Sequence, residues 1–151
     1  MNLQEELKTL KERIVELEEL AKEEQEFPQQ NDKYWYIEDD TDIMPKVWWN
    51  NAYEQSRLSI GNVYKTKEQA EFTVEKLKVE AELRKFSRPF EEDKHNYFMV
   101  LDTCDRSIDI WGMLYSNLQG TIYFESEEKV QQAIYSVGEE RIKKYIFGVE
   151  D

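Results

Sequence analysis

The residues here whose types could do chemistry are not held in a working pattern. His95, the only histidine, lies in Glu91-Glu92-Asp93-Lys94-His95-Asn96, which reads as a solvated polar connection. General acid–base work needs a histidine held by a neighbour that sets its pKa. Cys104 is the only cysteine and sits in Asp102-Thr103-Cys104-Asp105-Arg106. Acidic neighbours raise a thiol pKa and blunt its nucleophilicity. A lone cysteine also excludes an intramolecular disulfide and a thiolate metal cluster. The run Glu38-Asp39-Asp40-Thr41-Asp42 offers oxygens to a hard cation. It lacks the alternating ligands, central glycine and terminal glutamate of an EF-hand, and reads as a hairpin turn with solvated charges. There is no glycine-rich phosphate loop, no G-x-S-x-G and no metalloprotease helix. With 33 acidic residues, two carboxylates can always be paired into a glycosidase-like site, so such a pairing identifies nothing. The chain is expected to be non-enzymatic, with no cofactor and no metal.

The elements around these residues are more informative. Leu3, Leu7, Leu10, Ile14, Leu17 and Ala21 recur at alternating steps of four and three. That is a heptad seam with Leu3, Leu10 and Leu17 at d and Leu7, Ile14 and Ala21 at a. Glu, Lys, Arg and Gln fill most of the other positions and favour helix. In a parallel homodimer a g residue faces the e residue five positions on in the partner. Glu6 would then meet Lys11, and Arg13 would meet Glu18, each exposed pair contributing about 0.3–0.5 kcal/mol. Docking of the stripe on the chain's own body, or on a partner's helix, is the alternative, because helices this short are marginal alone. The coiled-coil helix is expected over residues 1–27, stopping at Phe27-Pro28, with a linker over 28–33.

From Tyr34 onward one unit is written twice, over 34–88 and 95–147. The first copy runs through Tyr34-Trp35-Tyr36-Ile37, Lys46-Val47-Trp48-Trp49 and Gly61-Asn62-Val63-Tyr64. Thr66 then caps a helix with apolar positions Ala70, Val74, Leu77 and Ala81. The second runs through Tyr97-Phe98-Met99-Val100, Ile108-Asp109-Ile110-Trp111 and Gly120-Thr121-Ile122-Tyr123. Ser126 then caps a helix with Val130, Ala133, Ile134 and Val137. Gly138 should end that helix, and Glu139 to Phe147 reads as a short helical segment. The expected fold class is α+β: an N-terminal coiled-coil helix followed by two similar β-β-β-α units packed as one small domain over 34–151.

Composition narrows the function classes. The formal net charge is −13, from 33 acidic against 20 basic residues. That argues against direct nucleic-acid binding, which needs clustered Lys and Arg. It suits a partner with a basic surface, or serves solubility. No apolar run approaches the length of a membrane span and no signal peptide is evident, so a cytoplasmic protein is expected. Consecutive strand residues point to opposite faces. One member each of Tyr34-Trp35-Tyr36 and Trp48-Trp49 therefore faces outward or lies under another element. Trp35, Trp48, Trp49, Asp39, Asp40 and Asp42 are the candidate partner-binding residues.

The body also resembles an uncharacterised accessory protein family of phages and prophages of Gram-positive bacteria. The resemblance spans roughly 30–151 and is carried by several segments. They are Tyr34-Trp35-Tyr36-Ile37, the stretch from Ile60 to Glu71, Glu75-Lys76-Leu77-Lys78-Val79, the stretch from Ile122 to Glu128, and the ending from Val137 to Glu150. It implies a phage protein acting in the cytoplasm of a bacterial host and transfers no site residues. On that footing the chain is expected to inhibit a host nucleic-acid-acting or defence protein, such as a restriction or CRISPR nuclease, by mimicking nucleic-acid charge. A phage structural or assembly factor that oligomerises through its coiled coil is the alternative.

Overall fold

The computed structural model describes residues 2–150. The element order is α1 (Leu3–Glu23), β1 (Lys33–Ile37), β2 (Ile43–Val47), α2 (Ala52–Ser59), α3 (Lys67–Arg84), β3 (Asn96–Leu101), β4 (Ile108–Met113), α4 (Glu127–Val137) and α5 (Glu139–Tyr145). The class is α+β, with two separate two-stranded antiparallel sheets, β1–β2 and β3–β4. The chain divides into two compact units, one of residues 1–36 with 44–66 and one of 37–43 with 67–151.

In the first unit α1 opens with a capping box. Asn2 Oδ1 accepts from the Glu5 N–H at 2.9 Å, and Glu5 Oε2 accepts from the Asn2 N–H at 3.2 Å. These bonds satisfy amides that the first helical turn leaves orphaned. The helix ends at Glu23, a few residues before the expected stop. Its apolar stripe has no buried residue. The core of this unit is small. Tyr34 and Trp48 pack edge-to-face at 5.6 Å, and Glu54 is buried beside Tyr34. β1 also pairs with Tyr64 through a reciprocal bridge, Trp35 N–H to Tyr64 O and Tyr64 N–H to Trp35 O, both at 2.9 Å.

In the second unit β3 pairs with β4 in a register that sets Tyr97 opposite Gly112, Phe98 opposite Trp111 and Met99 opposite Ile110. One sheet face carries Tyr97, Met99, Ile108 and Ile110 against a core of Val79, Leu83, Phe124, Val130, Ala133, Val137 and Ile142. These core residues come from α3, α4, α5 and the segment before α4. Arg141 ties α5 to α3 through two bonds to the Glu82 carboxylate, at 2.7 and 3.3 Å.

Several expectations are corrected by this arrangement. The third strand of each expected β-β-β-α unit is reduced to isolated bridges, Trp35–Tyr64 in one case and Tyr97–Phe124 with Arg88–Tyr123 in the other. Gly61 and Gly120, at φ 75° and 72°, turn the chain just ahead of these bridges. A helix, α2, occupies the connection after β2, where none was expected. Its signal is an Asn-x-x-Glu capping box, with Asn51 Oδ1 accepting from the Glu54 N–H at 2.9 Å. α3 was expected to close the first copy, but it packs with α4 and α5 in the second unit. Its expected stripe is only half buried: Ala70 and Val74 are covered, while Leu77 and Ala81 are exposed. Val79 and Leu83, on another face, carry the core contact. The cap at Ser126 and the helix break at Gly138 match expectation. Ser126 Oγ accepts from the Lys129 N–H at 3.2 Å, and Gly138 adopts φ 103°.

The two hairpins differ at their outer edges. In an antiparallel pair, alternate residues turn their N–H and C=O toward the partner strand, and the others turn outward. Trp48 bonds Asp32, and Glu38 bonds Asp42. The outward positions of β2 are therefore Ile43, Pro45 and Val47. Asp102 bonds Ser107, so the outward positions of β4 are Ile108, Ile110 and Gly112. The bonds from Tyr97 to Phe124, on the far side of β3, fit the same alternation. Pro45 removes one donor from the β2 edge, a device that discourages edge pairing. The β4 edge keeps every donor.

Candidate interaction surfaces

All six seam residues of α1, Leu3, Leu7, Leu10, Ile14, Leu17 and Ala21, are exposed, with Leu3 84% and Leu10 61% accessible. Val15 and Leu20 add further exposed apolar surface. A stripe of this kind in water is a hydrophobic surface awaiting cover. Intrahelical ion pairs join Lys8 to Glu12 at 4.0 Å and Arg13 to Glu16 at 2.9 Å. Among the described residues Glu6, Lys11 and Glu18 take part in no ion pair. Arg13 would have to exchange Glu16 for a Glu18 across an interface, a trade between exposed pairs of similar small worth.

The expected recognition aromatics separate by burial. Trp48 is 4% exposed and faces Tyr34, so it presents no surface in the single chain. Trp49 is 60% exposed. Trp35 is half-buried, with Lys33 Nζ 4.9 Å from its ring centroid. Asp39, Asp40 and Asp42 are exposed on the β1–β2 turn, where Asp40 Oδ1 accepts from the Asp42 N–H at 3.0 Å. Thr41 takes the left-handed conformation this tight turn needs, φ 71°. The turn falls with the second unit and the three tryptophans with the first, so neither unit gathers the six residues into one patch. Exposed Tyr53, Trp111, Tyr115 and Tyr135 were missed. For Trp111 the signal was present, because strand alternation sets it on the side of Asp109, opposite Ile108 and Ile110.

The most interlocked polar group in the first unit is structural. Glu54 Oε1 accepts from the Trp49 N–H at 2.8 Å and the Asn51 N–H at 3.3 Å. Burial alone would raise its pKa. The Tyr34 hydroxyl, the two amides and the charge of Lys46 together hold it below the usual carboxylate range. Among the described residues Glu54 Oε2 has no donor in hydrogen-bonding geometry. Burial and that carboxylate push the Tyr34 pKa up to about 12, against the pull of Arg57. Arg57 donates to the Tyr34 hydroxyl at 2.9 Å and stacks 3.9 Å from the Tyr36 ring centroid. Through the bonds of Glu54 Oε1 and Arg57, the group fixes the start of α2 on β1.

In the second unit an open groove of about 770 Å³ is lined by Arg84, Arg88, Phe90, Leu118 and Tyr123, among others. Of its two cations, Arg88 is spent on the fold, donating to Asn96 Oδ1 at 2.7 Å, His95 O at 2.9 Å and Pro89 O at 3.1 Å. His95 is exposed and stacks on Tyr97, with ring centroids 6.1 Å apart. Cys104 is exposed, its N–H donating to Asp102 Oδ1 at 2.8 Å. Among the described residues no group of three or more His, Cys, Asp or Glu is placed to hold a metal ion, and no helix is long and apolar enough to cross a membrane. Comparison with family models, with curated proteins and with solved structures finds no match to this chain.

Proposed function

We propose that the chain is a non-enzymatic, acidic binding protein that pairs through α1 as a parallel homodimer and blocks a basic, nucleic-acid-acting host or defence protein. The observation that carries this reading is the exposed apolar seam of α1, with no residue buried, on a chain of net charge −13. The seam offers an apolar face to a cover, and its flanks favour a parallel second copy. A parallel second copy brings Glu6 to Lys11 and Arg13 to Glu18. An antiparallel copy that stacks Leu10 on Ile14 sets Lys11 against Lys11 and Arg13 against Arg13, like charges that destabilise the pair. The acidic surface supplies the second half of the reading. A dimer doubles its charge, favouring capture of a cationic groove at rates that fall with salt. The phage setting rests on the family resemblance alone.

The test is stoichiometric addition of the purified chain to host extract during DNA cleavage by its restriction or CRISPR nucleases, with affinity capture in parallel. Salt-sensitive inhibition and capture of the inhibited nuclease are expected. Neither inhibition nor capture at any salt concentration would sink the reading. The same exposed seam favours an assembly factor as the second reading, which requires copurification with virions or packaging complexes.

A further inference from the structure

We propose that the outer edge of β4 receives an extended strand from a partner protein, aliphatic on one side and carrying Lys or Arg on the other. The inference rests on the binding-protein reading and names the shape of what is bound.

Ile108, Ile110 and Gly112 turn their N–H and C=O away from β3, and among the described residues no other segment pairs with β4. Such a row is completed by another strand. The equivalent row on β2 is interrupted by Pro45 and flanked by Lys46, whereas Ile108-Asp109-Ile110-Trp111-Gly112-Met113 contains neither proline nor lysine. One hairpin is thus guarded against pairing and the other is left open.

The side chains then specify the visitor. Ile108 and Ile110 lie on the face that packs against the helical core, so a neighbouring strand extends that face with aliphatic residues. At Gly112 the Tyr97 ring of the neighbouring strand lies across the glycine. A Cβ at Gly112 would come within 3.2 Å of Tyr97 Cε1. On the other face stand half-buried Asp109 and the 54% exposed Trp111. A carboxylate beside an open indole face suits a cation, through charge and cation–π attraction together. A second copy of β4 fits less well. Centred on Ile110, it would set each Asp109 opposite a Trp111 and supply no cation to either carboxylate.

The probe is a blocked peptide of roughly seven residues, a strand's length, that alternates valine and lysine. Its control has the same charge but a proline at the centre. Amide exchange is followed by NMR on the full-length protein. With the alternating peptide, exchange at Ile108, Ile110 and Gly112 should slow by about tenfold or more, while Asp109, Trp111 and Met113, already bonded to β3, stay unchanged. The proline peptide should protect nothing. Asp109→Lys leaves the core side untouched, and should weaken the lysine peptide about tenfold while favouring one that alternates valine and glutamate. Ile110→Pro should abolish protection, with circular dichroism confirming that the fold persists.

Equal binding of the proline peptide would mean charge attraction without strand addition and would overturn the proposal. So would protection of the three amides that grows with protein concentration in the absence of peptide, because the occupant would then be a second copy. No protection at saturating peptide would overturn it too. Selective protection without any effect on host nucleases would instead sink the functional reading and leave the edge assignment standing.

Discussion

Helices α1 and α4 are both read from apolar periodicity, yet they meet opposite fates. In α4, Val130, Ala133 and Val137 are buried against α3 and α5. In α1 no residue of the stripe is buried. The difference lies in what surrounds each stripe. The α4 face is followed by Gly138 and α5, which fold back to supply Ile142 to the same core. The α1 face is followed by residues that contribute no cover, and its e and g flanks carry charges matched to a copy of itself. Periodicity marks a face that can be covered, and under the proposed pairing the charged flanks of α1 suit a second copy.

This contrast predicts separable losses. Leu10→Asp should abolish dimerisation, at least a hundredfold weaker by equilibrium sedimentation, because it places a charge in a d layer without a partner. The thermal melt of the body should not move. Leu83→Ala should do the reverse, costing about 2–5 kcal/mol in denaturant unfolding while the α1 interface survives. A Leu83→Ala chain that loses its dimer in step with its fold would erase the distinction between the two faces.

Smaller effects sharpen the comparison within the body. Glu54→Gln keeps the shape but replaces a buried carboxylate that accepts two backbone amides, at a cost of about 1–3 kcal/mol near neutral pH. Because the folded pKa of Glu54 lies below its unfolded value, its stabilisation is present above the unfolded pKa and lost as pH falls through the folded one. The gap between native and Glu54→Gln melts should therefore close on acidification below about pH 4.5. A gap that widens there would contradict the depressed pKa. Arg141→Ala should matter least. The Arg141–Glu82 pair is 39% exposed on each side, and a double-mutant cycle should give about 0.2–1 kcal/mol, shrinking with salt.

Much of the element pattern was legible from particular residues. Ser126 and Gly138 announce their helix ends, because caps are local chemistry. α2 was missed because Asn51 and Glu54 were overshadowed by the adjacent aromatic run, although they form a complete capping box. α3 was misread because both its faces carry apolar residues, so a stripe through Ala70 and Val74 concealed the one through Val79 and Leu83. The third strands were overcalled from Val63-Tyr64 and Ile122-Tyr123. Single bridges and full strands share the same side-chain alternation and differ only in how long the backbones run together. The candidate surface was least legible. Burial of Trp48 against exposure of Trp49 follows from the register of β2, which no spacing in the sequence sets.

The central claim is that the α1 seam is completed by a second, parallel copy. Equilibrium sedimentation of the full chain carrying Cys104→Ser and Leu3→Cys, before and after oxidation, tests it directly. A parallel pair has twice the 18.3 kDa chain mass before oxidation, and crosslinks quantitatively afterwards because the two d positions meet at the same end. A single-chain mass across the accessible concentration range, or a dimer that fails to crosslink, would contradict it.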